Sequence, residues 1–402
     1  MSRILYVWEL GAGYGHVGSV LPLAVELKGR GHEIIFALRD LAHAERFLGR
    51  RGFHLLQAPI WITPRRGPDL PVNYAEMLAN FGFLDRLGLT GMVKAWRSLY
   101  ALVQPDLTVI DHAPTALLAA RGTGMRRILV GTGFYSPPRM SPMPSLRPWL
   151  NVPPERLLES ERQVVATINE LSGDLGMKPL DVLADLFDAD ADFLCTFAEL
   201  DHYPRAGATY WGPRFASEEG VVPEWPAGTG ERIFAYLSAT HFDFERLLGQ
   251  LKDLPYRTLI HASGLSEKHV MKYQARNLVL SVEPVRMTLA SRESDLVICH
   301  GGHGTTAASL LAGRPVLAVH RHVEQLLLAR NIVSRGLGKT VNPDSKAPSY
   351  KQMVREIFSD SGFAERARAF AAKYSDFDLT KQTQLIAARC EEILAGAIQC
   401  KA

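Results

Sequence analysis

The densest cluster of residues suited to chemistry is the turn at positions 300–306, which reads His-Gly-Gly-His-Gly-Thr-Thr. It follows the apolar run 296–299 and precedes a helical pattern that begins at Ala307. A buried strand that breaks into glycines and then opens a helix builds an anion site, because backbone N–H groups and the helix dipole converge on one point. The histidines and threonines add side chains that can donate hydrogen bonds to phosphate oxygens. The turn therefore predicts a phosphate-binding site.

His16 is the second candidate, and it ends a glycine-rich turn, 11–16, that follows the first strand pattern. An imidazole at the start of a helix is well placed for proton transfer. Asp111 ends the strand pattern 107–110 and is expected at the same edge of the same sheet. A carboxylate that reaches the imidazole fixes its tautomer and stabilises the imidazolium. We therefore predict that His16 is a general base and that Asp111 orients it.

The same glycine-rich turn leaves an alternative open. Gly11 and Gly13 after a first strand, with Asp40 at the end of the second, are typical of a nicotinamide-dependent dehydrogenase. However, the glycine motif of such enzymes has a third glycine, and His16 stands in its place here. A dehydrogenase would also leave the second glycine turn, 300–306, without a role.

Other residues that could do chemistry are interpreted as structural or solvated. His32 and His112 lie near strand ends but follow no glycine turn. Asp190 and Asp192 are spaced like an Asp-x-Asp metal motif, but they precede the strand pattern 193–197 and are expected at the edge opposite the ligand site. The four cysteines show no metal-ligand spacing. No metal site is predicted.

The composition is that of a globular protein with two domains. A chain of 402 residues, 47% hydrophobic and 22% charged, is too long for one ordinary core. The formal net charge of +3 comes without a basic stripe, so no nucleic-acid partner is implied. There is no secretory signal pattern and no apolar run of the ~20 residues that a membrane span requires. We expect a cytoplasmic protein.

Strand and helix patterns alternate twice along the chain, which predicts an α/β fold with two parallel sheets. The predicted strands are 4–8, 33–38, 107–110, 127–130 and 193–197 in the first half, and 233–237, 258–261, 277–280, 296–299 and 316–319 in the second. A tract rich in Gly, Pro and Glu, 214–230, is interpreted as a linker. The predicted domains are 1–213 and 231–375, followed by an amphipathic helix within 376–402.

Together these motifs resemble the GT-B glycosyltransferases, which transfer sugars from nucleotide-activated donors to small molecules. This family includes plant natural-product glucosyltransferases, bacterial antibiotic and macrolide glycosyltransferases, and glucuronosyltransferases. The resemblance spans most of the chain and is most specific from Pro284 to Gln325. It implies two facing Rossmann-like domains, the first for the acceptor and the second for the nucleotide sugar. It also implies that the C-terminal helix crosses back to the first domain.

The resemblance assigns the donor site to the second half. The residues expected to hold the donor diphosphate are Ser238, Thr240, His300, Gly301, Gly302, Gly304 and Thr305. Val282, Val285 and Ala308 stand at the positions for base and ribose, and Glu324 with Gln325 at those for the sugar hydroxyls. Many uridine-diphosphate users carry a glutamate where this chain has Ala308. We therefore predict that dTDP-sugars are accepted at least as well as UDP-sugars.

By the same resemblance His16 is the catalytic base and Asp111 its partner. The implied activity is inverting, metal-independent transfer that needs no cofactor beyond the UDP- or dTDP-sugar co-substrate. The expected acceptor is a small aromatic, polyketide or lipid-like alcohol, with Phe134 and Tyr135 as candidate lining residues. We expect a monomer or a homodimer. A dehydrogenase, a nucleotide-sugar epimerase of the same fold and a non-catalytic sugar-nucleotide binder remain alternatives.

Overall fold

The computed structural model of the chain describes residues 1–11, 15–215, 220–342, 345 and 347–396. It divides into two compact units, one formed by Met1–Arg214 with Asp378–Ala402 and the other by Phe215–Phe377. Each unit holds one six-stranded sheet.

The sheet of the first unit is parallel throughout. Its strands are β1 (Arg3–Trp8), β2 (Glu33–Leu38), β3 (His54–Gln57), β4 (Leu107–Asp111), β5 (Arg126–Gly131) and β6 (Ala191–Leu194). Their order across the sheet is β3-β2-β1-β4-β5-β6. The α-helices of this part of the chain are α1 (Gly15–Gly29), α2 (Leu41–Phe47), α3 (Tyr74–Ala79), α4 (Arg86–Val103), α5 (Pro114–Ala120) and α6 (Pro154–Ser172).

The sheet of the second unit is also parallel. Its strands are β7 (Arg232–Ser238), β8 (Arg257–Ser263), β9 (Leu278–Ser281), β10 (Leu296–Cys299), β11 (Val316–Ala318) and β12 (Gly338–Thr340). Their order is β12-β11-β10-β7-β8-β9, which is the order of the first sheet when counted from β7. The α-helices are α7 (Phe244–Lys252), α8 (Glu267–Tyr273), α9 (Met287–Glu293), α10 (His303–Leu311), α11 (Val323–Ser334), α12 (Tyr350–Ser359) and α13 (Ser361–Lys373).

Both sheets therefore have the doubly wound order in which the first and fourth strands are neighbours. At this switch point the connections leave the sheet in opposite directions, and a crevice opens beyond the carboxyl ends of the two strands. The switch point lies between β1 and β4 in the first unit and between β7 and β10 in the second. These are the two places where the fold favours a ligand.

β1 illustrates why the apolar runs become central strands. Leu5 and Val7 belong to the core on one face of the sheet, while Ile4, Tyr6 and Trp8 belong to the core on the other. Successive side chains of a strand point to opposite faces. A run that is apolar at every position is therefore stable only when helices cover both faces, as they do in parallel sheets.

The C-terminal helix α14 (Leu379–Leu394) packs on the first unit. Its buried face adds four residues to the core that lies beside α1, namely Ile386, Ala387, Cys390 and Ile393. On its outer side, Glu391 accepts a hydrogen bond from Arg30 at 2.7 Å and lies 3.2 Å from His32 Nε2. The predicted return of this helix to the first domain is confirmed, and His32 helps to hold it there.

All ten predicted strands are present, and their ends differ from the predicted ones by at most three residues. The sequence did not predict β3 and β12, which are the edge strands on one side of their sheets. They have only four and three residues, and no residue of β3 is fully buried. An edge strand with exposed positions lacks the continuous apolar run that marks a central one.

Part of the predicted linker packs on the second unit. Val221 pairs with Val285, and the indole of Trp225 donates a hydrogen bond of 2.6 Å to Glu293. Residues 216–219 lie outside the described part of the chain. Among the described residues, no helix combines the length and the apolar character needed to cross a membrane.

Candidate active site

His16 and Asp111 meet at the switch point of the first sheet. His16 lies in the first turn of α1, directly after β1, and Asp111 is the last residue of β4. His16 Nδ1 is 2.9 Å from Asp111 Oδ2, and the two side chains are only 10% and 8% exposed. The carboxylate accepts the Nδ1 proton, which leaves Nε2 as the ring nitrogen with a lone pair that can accept a proton. The two residues predicted to act together are therefore in hydrogen-bond contact.

Tyr6 on β1 is a third member of this group, which sequence reasoning missed. Its hydroxyl donates to the Asp111 oxygen that also accepts from His16, and it lies 3.5 Å from the His16 backbone oxygen. Burial raises the pKa of Tyr6 well above its usual range, so the hydroxyl keeps its proton at neutral pH. The usable signal was strand periodicity, because Tyr6 and Trp8 share the face that packs on α1. Trp8 stacks on the His16 ring with 4.9 Å between centroids.

Gly11 fixes the space around the imidazole. It has a φ of +93°, and a Cβ there would lie 2.6 Å from His16 Nε2. A residue with a side chain is therefore excluded by its conformation and by the close approach of the ring. Of the other two residues that the dehydrogenase alternative would use, Gly13 lies outside the described residues and Asp40 follows β2. The His16 ring thus lies against the backbone of Gly11.

His112 lies beside the pair rather than in solvent. It is 7% exposed, and its ring stacks on Tyr135 with centroids 3.7 Å apart and planes 16° apart. Burial lowers the pKa of His112 well below its usual range, so its ring is neutral at pH 7. Tyr135 is also 5.3 Å from the His16 ring, centroid to centroid. One of the two predicted acceptor residues therefore lies next to the predicted base.

Tyr135 and His112 line a small cavity with room for about one water molecule. Its remaining wall is mostly apolar and includes Pro114, Leu117 and Phe187. Phe134, the other predicted acceptor residue, does not line this cavity. It is 3% exposed and packs against the rings of His202 and Tyr203. Phe134 is a core residue, so its assignment as an acceptor contact is corrected.

In the second unit the glycine turn lies at the equivalent switch point. β10 ends at Cys299, α10 begins at His303 with Gly302 as its N-cap, and the neighbouring β7 ends at Ser238. The first N–H groups of a helix have no partner within it. Together with the helix dipole they favour an anion at this end.

Gly301 and Gly302 are glycines for different reasons. Gly301 has a φ of +75°, and a Cβ there would lie 3.2 Å from the backbone oxygen of Gln325. Its N–H is directed to Cys299 Sγ at 3.4 Å, so it is not an amide aimed at a phosphate as predicted. Gly302 has an ordinary φ of −64°, and a Cβ there would meet no other atom within 4 Å. Neither conformation nor packing requires glycine at 302; glycine is favoured over alanine at an N-cap, and the space around this residue is open to a ligand.

Both ring nitrogens of His300 form contacts within the protein, and its predicted contact with the donor diphosphate stays a prediction. Its Nε2 accepts the N–H of Ser238 at 2.8 Å, and its Nδ1 lies 2.7 Å from the Val319 oxygen. The proton is therefore on Nδ1, and both nitrogens are engaged within the protein. Burial lowers the pKa of His300 to about 4, so the ring is neutral at pH 7. His300 ties the ends of β7 and β11 together.

Four other predicted diphosphate residues lie near this point. The hydroxyls of Ser238 and Thr240 are 2.9 Å apart and follow one another at the end of β7. Gly304 and Thr305 lie in the first turn of α10 and are partly exposed. These groups are neutral, so they can supply hydrogen bonds but no net positive charge.

The predicted sugar residues flank the glycine turn. Glu324 and Gln325 form the first turn of α11, and the Gln325 backbone packs against Gly301. The Gln325 side-chain oxygen accepts the backbone N–H of Arg321 at 2.8 Å. Its amide nitrogen is therefore the group suited to a sugar hydroxyl. Glu324 Oε2 is 4.0 Å from Nδ1 of His322.

Two of the three predicted base and ribose positions are buried. Val285 is 3% exposed and belongs to a core cluster with Phe234 and Leu259, so its side chain is not available to a base. Ala308 is 4% exposed on α10. Val282 is 55% exposed in the segment after β9. Val285 could therefore offer a base only its backbone, and both Val285 and Val282 stay predicted contacts.

Asp190 and Asp192 have structural partners. Asp190 directly precedes β6, and its side chain accepts a hydrogen bond of 2.7 Å from the backbone N–H of Arg127. Asp192 lies within β6, not before it, and accepts from the Ser136 hydroxyl. Among the residues that the structure describes, no group of three or more His, Cys, Asp or Glu side chains is arranged to hold a metal ion.

Comparison with known proteins finds relatives over most of the chain, although no family model matches it. An uncharacterized glycosyltransferase of Methanosarcina acetivorans is 35% identical over 383 residues, which cover 92% of this chain and 90% of the relative.

Solved structures are similar at lower identity. The calicheamicin glycosyltransferase CalG4 is 19% identical, with a TM-score of 0.69 and coverage of 99% of each chain. The glycosyltransferase SsfS6 of Streptomyces sp. SF2575, complexed with thymidine diphosphate, is 19% identical with a TM-score of 0.63. That match covers 96% of this chain and 99% of SsfS6. At these identities the likeness is one of fold.

Proposed function

The chain belongs to the glycosyltransferases with the GT-B fold, and from this premise we propose that it is an inverting transferase. It moves a sugar from a UDP- or dTDP-sugar to a hydroxyl group of a small hydrophobic acceptor. The observation that carries the proposal is the contact between His16 and Asp111 at the switch point of the first sheet. Family membership sets aside the dehydrogenase alternative and favours transfer over epimerisation or mere binding.

His16 performs the proton transfer in this proposal. Its Nε2 takes the proton of the acceptor hydroxyl while that oxygen forms a bond to the anomeric carbon. The bond from this carbon to the diphosphate oxygen breaks, and its electron pair leaves with the diphosphate. Attack from the opposite face inverts the anomeric centre. Asp111 stabilises the imidazolium that forms, and such general-base assistance is worth about 10² to 10⁴ in rate.

The second unit stabilises the leaving group. The diphosphate approaches over Gly302. It accepts hydrogen bonds from the N–H groups at the N-terminus of α10 and from the hydroxyls of Ser238, Thr240 and Thr305. Groups that are already oriented towards developing charge lower the barrier without reorganisation. Because protein groups stabilise the negative charge of the leaving diphosphate, transfer should proceed without an added divalent cation.

Glu324 and the amide nitrogen of Gln325 are proposed to hold the sugar. dTDP-sugars should serve at least as well as UDP-sugars as donors, because Ala308 offers no carboxylate to the ribose hydroxyls. The complex of SsfS6 with thymidine diphosphate supports dTDP as a plausible nucleotide. For the acceptor, the partly exposed ring of Tyr135 next to His16 favours an aromatic or polyketide-like alcohol.

A product assay tests this function. The purified protein is mixed with UDP-glucose or dTDP-glucose, both α-linked donors, and a panel of aromatic and polyketide alcohols in excess EDTA. We expect a glucoside whose anomeric configuration, measured by NMR, is β. An α-glucoside would contradict inversion, and a strict need for Mn²⁺ or Mg²⁺ would contradict the metal-independent step.

A further inference from the structure

Arg321 lies between β11 and α11, in the loop beside the glycine turn. Its Nη2 is 3.3 Å from the Thr240 hydroxyl, which in turn is 2.9 Å from the Ser238 hydroxyl. Its backbone N–H is held by the Gln325 side chain at 2.8 Å. The loop is therefore anchored to α11, and the guanidinium reaches the two hydroxyls assigned to the donor diphosphate.

Among the described residues, no carboxylate pairs with the positive charge of Arg321. Within the described part of the chain it forms no salt bridge with a carboxylate, whereas Arg314 of the same unit lies 3.9 Å from Asp295. A guanidinium remains protonated at any pH compatible with the fold. The histidines around it are neutral at pH 7, because burial lowers the pKa of His241 and His300, and the positive charge of Arg321 lowers both further.

A sugar diphosphate donor carries two negative charges, and the released nucleoside diphosphate carries more. Neutral amides and hydroxyls bind such a group less strongly than a guanidinium does, because a guanidinium adds the attraction between opposite charges and can form two parallel hydrogen bonds. His300 cannot contribute charge, since its pKa is about 4 and both nitrogens are engaged. The site as predicted from sequence therefore lacks a cation.

We propose that Arg321 binds the donor diphosphate and supplies the positive charge of this site. This inference rests on the proposed function, because it adds a ligand to the donor site assigned there. The planar guanidinium can exchange its single contact with Thr240 for paired hydrogen bonds to phosphate oxygens. The interaction strengthens as charge develops on the leaving group, so Arg321 serves transfer as well as binding.

Calorimetry with UDP, together with ligand-observed NMR of uridine, tests the assignment on the whole chain. Arg321→Gln should weaken UDP binding about 10- to 100-fold and leave uridine binding unchanged, because only the phosphates are charged. Arg321→Lys should lose less, since it keeps the charge but not the paired geometry. The matched control is Arg335→Gln at the end of α11, where the guanidinium contacts only its own helix. That variant should bind UDP like the wild type.

Wild-type UDP affinity in Arg321→Gln would overturn the proposal, and so would an equal loss of UDP and uridine affinity. The variant should unfold at the wild-type temperature, because Arg321 is exposed. If the wild type itself bound no nucleoside diphosphate, the donor site of the proposed function would fail, and this assignment with it. If the wild type binds UDP and Arg321→Gln binds it equally well, the assignment of Arg321 fails while the donor site of the proposed function stands.

Discussion

Gly301 and Gly302 are neighbours, but replacing each by alanine should give opposite results. At Gly301, alanine must adopt a φ of +75°, and its methyl group would lie 3.2 Å from the Gln325 oxygen. A left-handed conformation costs about 1 to 2 kcal/mol for a residue with a Cβ. Gly301→Ala should therefore lower the free energy of unfolding by roughly 1 to 3 kcal/mol once the close contact is added.

At Gly302 the backbone already has a φ of −64°, and nothing lies within 4 Å of the new methyl group. Alanine is a poorer N-cap than glycine, but it also lowers the entropy of the unfolded chain, and these effects of about 0.5 to 1 kcal/mol oppose each other. Stability should change little. The methyl group would instead stand where a phosphate approaches the helix N-terminus, so UDP affinity should fall at least about tenfold.

The assay combines urea unfolding with calorimetric titration of UDP for both variants. Gly301→Ala should lose stability, and Gly302→Ala should lose binding while it keeps wild-type stability. Normal UDP affinity in a stable Gly302→Ala variant would refute the reasoning that a ligand approaches this glycine. A Gly301→Ala variant as stable as the wild type would show that the turn does not need the left-handed conformation.

Two further predictions concern hydrogen bonds and protons. Tyr6→Phe removes a donor from Asp111, so the carboxylate should hold the imidazolium more strongly, and the acidic limb of the kcat/KM profile should move to higher pH; an unchanged profile would exclude Tyr6 from the group. Because the pKa of His300 is about 4 in the folded protein and 6.5 in the unfolded chain, its contribution to stability is present above pH 6.5 and lost as pH falls towards 4. The difference in unfolding free energy between the wild type and His300→Gln should therefore decrease by about 1.4 kcal/mol per pH unit below 6.5, and a constant difference would contradict the lowered pKa.

The sequence predicted the central strands and the residues at their ends, because both depend on local patterns. An unbroken apolar run such as 296–299 predicts a strand that is buried on both faces. In a parallel sheet the carboxyl ends of all strands lie at the same edge, and ligands bind at that edge. Asp111 could be paired with His16 for this reason. The distance between them could not be predicted, because it depends on how α1 leaves β1.

The sequence is least informative where the role of a side chain depends on contacts between distant segments. His300 has the residue type expected of a phosphate ligand, but Ser238 and Val319 occupy both of its nitrogens. Val285 aligns with a ligand position but points into the core. Arg321 carries no local motif, and only its proximity to Thr240 makes it a candidate.

The most direct test of the central claim is the single-turnover rate of sugar transfer by His16→Ala, at saturating donor and with the best acceptor found in the panel. The matched control is His54→Ala, which changes an exposed histidine on the edge strand β3. We predict that His16→Ala is about 10² to 10⁴ slower while UDP affinity stays at the wild-type value, and that the control transfers normally. Transfer by His16→Ala at the wild-type rate would contradict the assignment of His16 as the general base.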